Sequence, residues 1–424
     1  MANSTHKKRS TLDIVLLIFA AEAVFILPFV LQRIFRPTFL EIFNINNEDL
    51  GYCFSVYGII ALFSYLFGGA VADRFHPKHL MSVALLLTAA GGIYFSTYPA
   101  YDELKLLYGY WGFTTIFLFW AAMIKATRIW GGLKMQGRAF GFLDGGRGLV
   151  AAGFGSLGVV IFSIFIDVDI SIASLDERKN AFKYVILVSS LLVAIIGILV
   201  YFFLSGNHDT QKPIKNKTSV IWANYSAALK LPSVWLLMLI ILCAYTGYKA
   251  TDIFTLYASD VMKYDAIASA SVGTSLLYLR PLIGVSIGFM ADRSSASLWL
   301  SIGFLLTLIS SIVFAVDLID YSTTLLFYSN ILMMAVGVYS CRVLYFATLE
   351  EGRVPLYLTG TAVGLVSIIG YTPDIFSGPL FGILLDNPNK ILGLQHTYMV
   401  LSIFSLIGLV SSIIFYKMSS KKIE

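Results

Sequence analysis

The chain has 424 residues, of which 58% are hydrophobic and only 13% charged, with a net charge of +5. A soluble domain carries roughly 25% charged residues, so this composition excludes an ordinary soluble protein. The small positive excess gives no reason to expect nucleic-acid binding. Cys53, Cys243 and Cys341 lie inside apolar runs without metal-type spacing, which argues against a structural disulfide or a zinc site.

The apolar residues cluster in runs of about 20, the length that crosses a bilayer as helix. Helix is also the only open-chain way to satisfy backbone groups in hydrocarbon. The pattern therefore predicts an all-α membrane protein with twelve transmembrane helices. The spans are expected over 12–34, 50–72, 79–98, 105–130, 139–166, 181–204, 233–258, 267–290, 297–317, 324–348, 357–385 and 396–416. The basic start and the long first apolar run read as a retained first span, not a cleaved signal.

Span 1 carries Glu22 near its middle and Arg33 late, beyond Pro28. Span 2 ends in Gly69-Ala70-Val71-Ala72-Asp73-Arg74, with Lys78 following. Span 4 has Lys125 and Arg128 three apart; span 5 has Asp144 and Arg147 three apart among many glycines. Residues 205–232 are polar and basic and divide six spans from six, with an amphipathic stretch from Trp222 to Leu231. The expected organisation is thus an N-terminal six-helix bundle over 1–204, a linker over 205–232 and a C-terminal six-helix bundle over 233–424.

Span 7 carries Tyr248, Lys249 and Asp252. Span 8 carries Arg280 before Pro281 and ends in Gly288-Phe289-Met290-Ala291-Asp292-Arg293, a second copy of the span 2 pattern half a chain later. Arg342 lies in span 10, and Asp374 follows Pro373 in a stretch of span 11 that reads as kinked. A repeat of half the chain length means a protein built twice from one unit; apolar repeats of this kind mark transporters. Glycines are enriched in spans 2, 5, 8 and 11. Small residues let helices approach closely, so four helices should meet between two moving halves. The loop lysines and arginines concentrate on the side of the termini, which places both termini in the cytoplasm.

These residues resemble the major facilitator superfamily over essentially the whole chain. The family's loop signature is Gly-x-x-x-Asp-Arg-x-x-(Arg/Lys)-(Arg/Lys). Here it reads from Gly69 through Asp73 and Arg74 to Lys78, while Ser294, Ser295 and Ala296 degrade the second copy. A weaker echo links Gly137-Arg138-Ala139-Phe140-Gly141 with Gly360-Thr361-Ala362-Val363-Gly364. The resemblance implies alternating access around a mid-membrane site lined by spans 1, 4, 7 and 10. It also implies a gate formed by Asp73, Arg74, Lys78, Asp292 and Arg293. The intact first copy makes Asp73 the expected dominant gate.

Charges inside a bilayer cost about 3 kcal/mol each on insertion scales unless they face water or a partner, so each is a candidate. The cations Arg33, Lys125, Arg128, Arg147, Lys249, Arg280 and Arg342 outnumber Glu22, Asp144, Asp252 and Asp374. This surplus suits a cavity that receives anions. Lys249, Arg280, Lys125, Arg33, Arg342 and Tyr248 are the substrate-binding candidates. Arg33 can alternatively snorkel to the outer surface. Glu22, Asp252 and Asp374 are the proton-coupling candidates, since a semi-buried carboxylate can titrate near working pH. Arg128 reads as a gate residue, and Asp144 with Arg147 as a local pair within the gate region. Lys249 and Asp252 share a helical face and form either a neutral pair or a site that substrate opens. Trp120, Tyr245, Tyr278, Tyr339 and Tyr371 lie near these positions.

Arg33 and Lys249 are similar in placement to the phosphate-gripping residues of organophosphate:phosphate antiporters, although Tyr65 stands nearest to their span 2 lysine. Arg280-Pro281-Leu282-Ile283-Gly284 resembles span 8 of nitrate/nitrite porters, whose span 2 arginine and glycine-rich signatures are missing here. The resulting expectation is a monomeric carrier in the inner, cytoplasmic membrane. It exchanges or co-transports a small organic anion, phosphorylated ones included, with protons and without a cofactor or metal. A proton symporter of a neutral or zwitterionic nutrient is the alternative, and a non-transporting sensor or channel a third. No Gly-x-Ser-x-Gly, phosphate-binding loop or metal-spaced histidine pair supports an enzyme.

Overall fold

The computed structural model describes residues 10–45, 47–166, 174–205, 218–264, 266–316, 318–385 and 387–420. The described residues contain helices and connections but no strand. Eleven helical stretches are long and apolar enough to cross a membrane: Thr11–Ile34 (span 1), Asp49–Arg74 (span 2), Pro77–Phe95 (span 3), Tyr101–Gly131 (span 4), Gln136–Ile164 (span 5), Leu175–Phe203 (span 6), Pro232–Asp260 (span 7), Ala296–Ala315 (span 9), Thr324–Leu344 (span 10), Leu356–Leu385 (span 11) and Lys390–Ser420 (span 12). Ala266–Arg293, of 28 residues, is span 8. The protein is therefore a multi-pass membrane protein with the twelve helices that the apolar runs predict.

Two departures from straight α-helix, in spans 1 and 11, fall where the sequence supplies a cause. Pro28 has no N–H to give, and Ile26–Val30 around it widens into π-helix. A second π segment, Phe113–Trp120, lies in the middle of span 4. Span 11 breaks between Gly370 and Pro373, as the clustered glycine and proline predict, and Asp374 stands just after the break. The linker contributes a helix over Thr218–Leu229, a little ahead of the amphipathic stretch read from sequence. An extra short helix, Arg36–Phe43, follows span 1. It is fastened to span 6 by a bidentate pair between Arg178 and Glu41.

The core between helices is aromatic and aliphatic, while Leu106, Leu325 and Ile383 project outward. Outward apolar side chains are what lipid requires of the surface. The two halves meet along two seams, span 2 against span 11 and span 5 against span 8. Both seams are glycine contacts. A Cβ on Gly288 would lie 2.6 Å from the carbonyl oxygen of Gly137, and one on Gly141 would lie 2.6 Å from that of Gly284. The glycines enriched in every third span are there because backbone touches backbone. The end of the bundle that carries the linker helix and the last residues of span 12 is called the linker face below.

Candidate functional site

At the linker face the two copies of the repeated pattern do the same thing. Asp73, at the end of span 2, accepts hydrogen bonds from the backbone N–H groups of Gly360 and Thr361, each at 2.7 Å. The hydroxyl of Thr361 donates to it as well, at 2.5 Å. Those amides open the helix over Thr359–Gly370. Asp292, at the end of span 8, accepts from the N–H groups of Gly137 at 2.8 Å and Arg138 at 3.1 Å, which open span 5. The Arg138 side chain pairs with it too. Each carboxylate thus caps a helix of the other half and meets the positive end of its dipole. The segments Gly137–Gly141 and Gly360–Gly364, a weak echo in sequence, are the two receptors.

A third link crosses the same face. Arg128 of span 4 donates to the hydroxyl of Thr359 at 2.6 Å, to Glu350 at 2.8 Å and to the carbonyl of Val354 at 2.5 Å. Thr359 and Glu350 did not stand out from the sequence; both follow span 10, where a polar loop carries no distinguishing signal. Lys125, expected as a ligand, instead donates to the carbonyls of Ala72 at 2.8 Å and Asp73 at 3.2 Å. It therefore braces the end of span 2, because one turn of helix places it beside the gate and not deeper. Arg74 and Arg293 are exposed, and the Lys78 ammonium lies 5.9 Å from the Tyr201 ring centre. None of these three joins the clasps.

Deeper in the bundle the intramembrane charges form three groups. Glu22 of span 1 accepts from Arg147 Nε of span 5 at 2.9 Å. Asp144 of span 5 accepts from two arginines of the other half. Arg280 of span 8 holds it in a two-point contact at 2.7 and 3.1 Å, and Arg342 of span 10 adds a third bond at 3.1 Å. Asp374 of span 11 pairs with Lys249 of span 7 at 2.6 Å and accepts from the Tyr245 hydroxyl at 2.9 Å. The Arg342 guanidinium lies 3.7 Å from the centre of the Tyr248 ring, a cation–π contact.

One sequence-based pairing is corrected. Asp144 and Arg147 are three apart on one helix, yet they do not neutralise each other; each finds its partner on another span. Lys249 pairs with Asp374 across the break in span 11. The side chain of Asp252 lies outside the described residues, as does the linker segment 206–217. Arg33 is exposed and stands apart from these groups. Tyr278 also faces outward, whereas Trp120, Tyr339 and Tyr371 are buried.

Exposure of the charged groups rises away from the linker face. Asp144, Arg280 and Arg342 are about one-tenth exposed, at 11%, 9% and 11%. Lys249 and Asp374, farther along their helices, are 32% and 34% exposed. The deeper network is thus tightly buried at Asp144 and loosens at the Lys249–Asp374 end. Its inner part borders a narrow cavity lined by Trp120, Asp144, Arg147, Arg342 and Tyr345 among others.

The fold agrees with comparisons to known proteins. A sequence model of the Major Facilitator Superfamily matches residues 14–378. The inner membrane protein YqcE of Escherichia coli K12 is 26% identical over 357 residues, covering 83% of this chain and 82% of YqcE. The inner membrane protein YihN of the same strain is 24% identical over 387 residues, covering 90% of each chain. A crystal structure of the Major Facilitator Superfamily transporter FucP in the outward conformation superposes with a TM-score of 0.74 at 13% identity, over 95% of this chain and 98% of that one. A second structure, of the E. coli fucose:proton symporter FucP, gives a TM-score of 0.70 at 15% identity, over 93% of this chain and 97% of that one. Repeated aspartates capping opposite halves, twelve helices and a family match over most of the length lead to one conclusion: this chain belongs to the major facilitator superfamily and is a membrane transporter, not an enzyme.

Proposed function

We propose that the protein carries a small organic anion across the inner membrane by alternating access, coupled to protons by symport or exchange. The observation that carries this reading is the pairing at Asp144. One carboxylate is shared by two guanidiniums, so a buried positive charge is left over where the two halves meet. A buried unpaired charge is costly, and an anionic solute offsets it. The residues 1–204 and 233–424 are the rocking halves, with 205–232 as the cytoplasmic linker and both termini in the cytoplasm. The clasps then close the cytoplasmic side, and the loosening of the network marks the periplasmic entry. Glu22 and Asp374, each held by one cation, are the groups through which protons couple, together with Asp252. Arg280 and Arg342 hold the solute, with Lys249 and Tyr248 beside them.

The test is a thermal-stability panel on the purified protein with charged and neutral solutes, since a ligand stabilises the fold it binds. Organic acids should raise the melting temperature, and Arg280→Gln should abolish the rise. Stabilisation by neutral solutes alone, unaffected by Arg280→Gln, would contradict the reading. A second reading is a proton symporter of a neutral nutrient. It is favoured by the two self-neutralised pairs, Glu22–Arg147 and Lys249–Asp374, and by the shared fold with the fucose:proton symporter FucP.

A further inference from the structure

We propose that the solute is a hydroxylated acid with a single negative charge, whose acidic group binds between Trp120 Nε1 and Arg342 Nη1; this rests on the anion reading above and narrows it. Both atoms are buried, and neither has a hydrogen-bond partner among the described residues. Both side chains line the same cavity. A buried donor without an acceptor is costly, and more so when it is charged. Two such donors on one cavity, one of them cationic, are a site for an acceptor that carries negative charge.

The count of charge limits that acceptor to one unit. Arg280 and Arg342 share Asp144, and Arg147 is matched by Glu22. One positive charge is therefore left at Asp144, and a monoanion cancels it. A dianion would bring a surplus negative charge close to the Asp144 carboxylate in a water-poor site, where repulsion is weakly screened.

The hydroxylated part follows from the neighbouring cavity, a narrow cleft lined by Tyr65, Ser367, Tyr371 and Asp374 among others, which has to widen to admit a solute. The two cavities meet at one wall. Tyr345 lines the first, and its hydroxyl shares a hydrogen bond of 3.0 Å with that of Tyr371 in the second. The Trp120 ring stands edge-on to Tyr371 at 5.4 Å. The lining of the second cavity includes no cation, although Lys249 pairs with its Asp374 at 2.6 Å. It offers the buried Ser367 hydroxyl, which has no described partner, the Asp374 carboxylate, and the stacked rings of Tyr65 and Tyr371. Hydroxyls suit the polar groups, and the C–H face of a polyol or sugar ring suits the aromatic ones. A solute that reaches both cavities parts the Tyr345–Tyr371 bond.

The experiment is a thermal-shift titration of the full chain in detergent with gluconate, glucuronate, galactonate, glucose and glucose 6-phosphate. Gluconate, a hydroxylated monoanion, should stabilise most. Trp120→Phe, which keeps a ring but removes the donor, should weaken gluconate binding about tenfold while the unliganded melting temperature stays within a few degrees. If Trp120→Phe is itself destabilised, Arg342→Lys, which keeps the charge and removes Nη1, should show the same loss. Stronger stabilisation by glucose 6-phosphate overturns the monoanion assignment and leaves the anion reading intact. Stabilisation by glucose alone overturns both. Failure of gluconate, glucuronate and galactonate alike to stabilise, or full gluconate affinity in the substituted proteins, overturns the inference.

Discussion

Asp292 holds the start of span 5 as Asp73 holds the start of span 11: each carboxylate accepts from two successive backbone N–H groups and one side chain of the opposite half. The erosion of the second loop signature in sequence suggested that Asp73 dominates. The geometry gives the two aspartates equal numbers of partners, because the lost basic pair lies outside the clasp. Asp73→Ala and Asp292→Ala should therefore each loosen the linker face to a similar degree. Losing such a cap costs about 1–2 kcal/mol, or roughly tenfold in local opening. Hydrogen exchange at Gly360 and Thr361, and at Gly137 and Arg138, reads it directly. A large effect from Asp73→Ala alone would restore the sequence-based ranking.

Arg128 should be coupled energetically to Glu350 across the halves. Its side chain is nearly fully buried, at 2% exposure, against 32% for Glu350. A double-mutant cycle on Arg128→Gln and Glu350→Gln should give a coupling of about 0.5–3 kcal/mol in thermal stability. Additive effects would show that Arg128 works only through Thr359 and Val354.

Glycine substitutions should divide by seam. Gly288→Ala places a methyl group 2.6 Å from the Gly137 carbonyl oxygen, whereas a Cβ at Gly153 of span 5 meets nothing within 4 Å. The first should force spans 5 and 8 apart and lower the melting temperature. The second should be neutral or raise it, since alanine is the better helix former by about 1 kcal/mol. Equal tolerance at both positions would mean that the seam is not a packed contact.

Asp144→Asn should be among the most damaging single changes. It leaves Arg280 and Arg342 buried without their carboxylate, and breaking a buried pair costs about 3–5 kcal/mol. The double change Asp144→Asn with Arg280→Gln should recover part of the loss, as read by melting temperature. A single substitution without effect on stability would show that water already solvates the two guanidiniums.

The fold was legible because its determinants are local. Span length, the Gly370–Pro373 break and the repeated Asp-Arg each follow from a short window of sequence. The weak echo at Gly137 and Gly360 was visible too, although not as the receptor of the two aspartates. The ion pairs were not legible for the opposite reason. Asp144 lies three residues from Arg147, so helical spacing favours a local pair. The partners that Asp144 and Lys249 find stand on spans 8, 10 and 11, and a single chain of letters carries no distance between helices. Trp120 and Arg342 were visible as residues, but their unfilled donors exist only once the spans are packed.

The central claim is that an anionic solute is carried through the charge network at Asp144, Arg280 and Arg342. The measurement that tests it most directly is uptake of a radiolabelled hydroxylated organic acid into proteoliposomes after an imposed pH step. Wild-type protein should give saturable uptake that depends on the pH gradient, and Arg280→Gln, reconstituted to the same level, should give none. Undiminished uptake in Arg280→Gln, or transport of neutral solutes alone, would contradict the account.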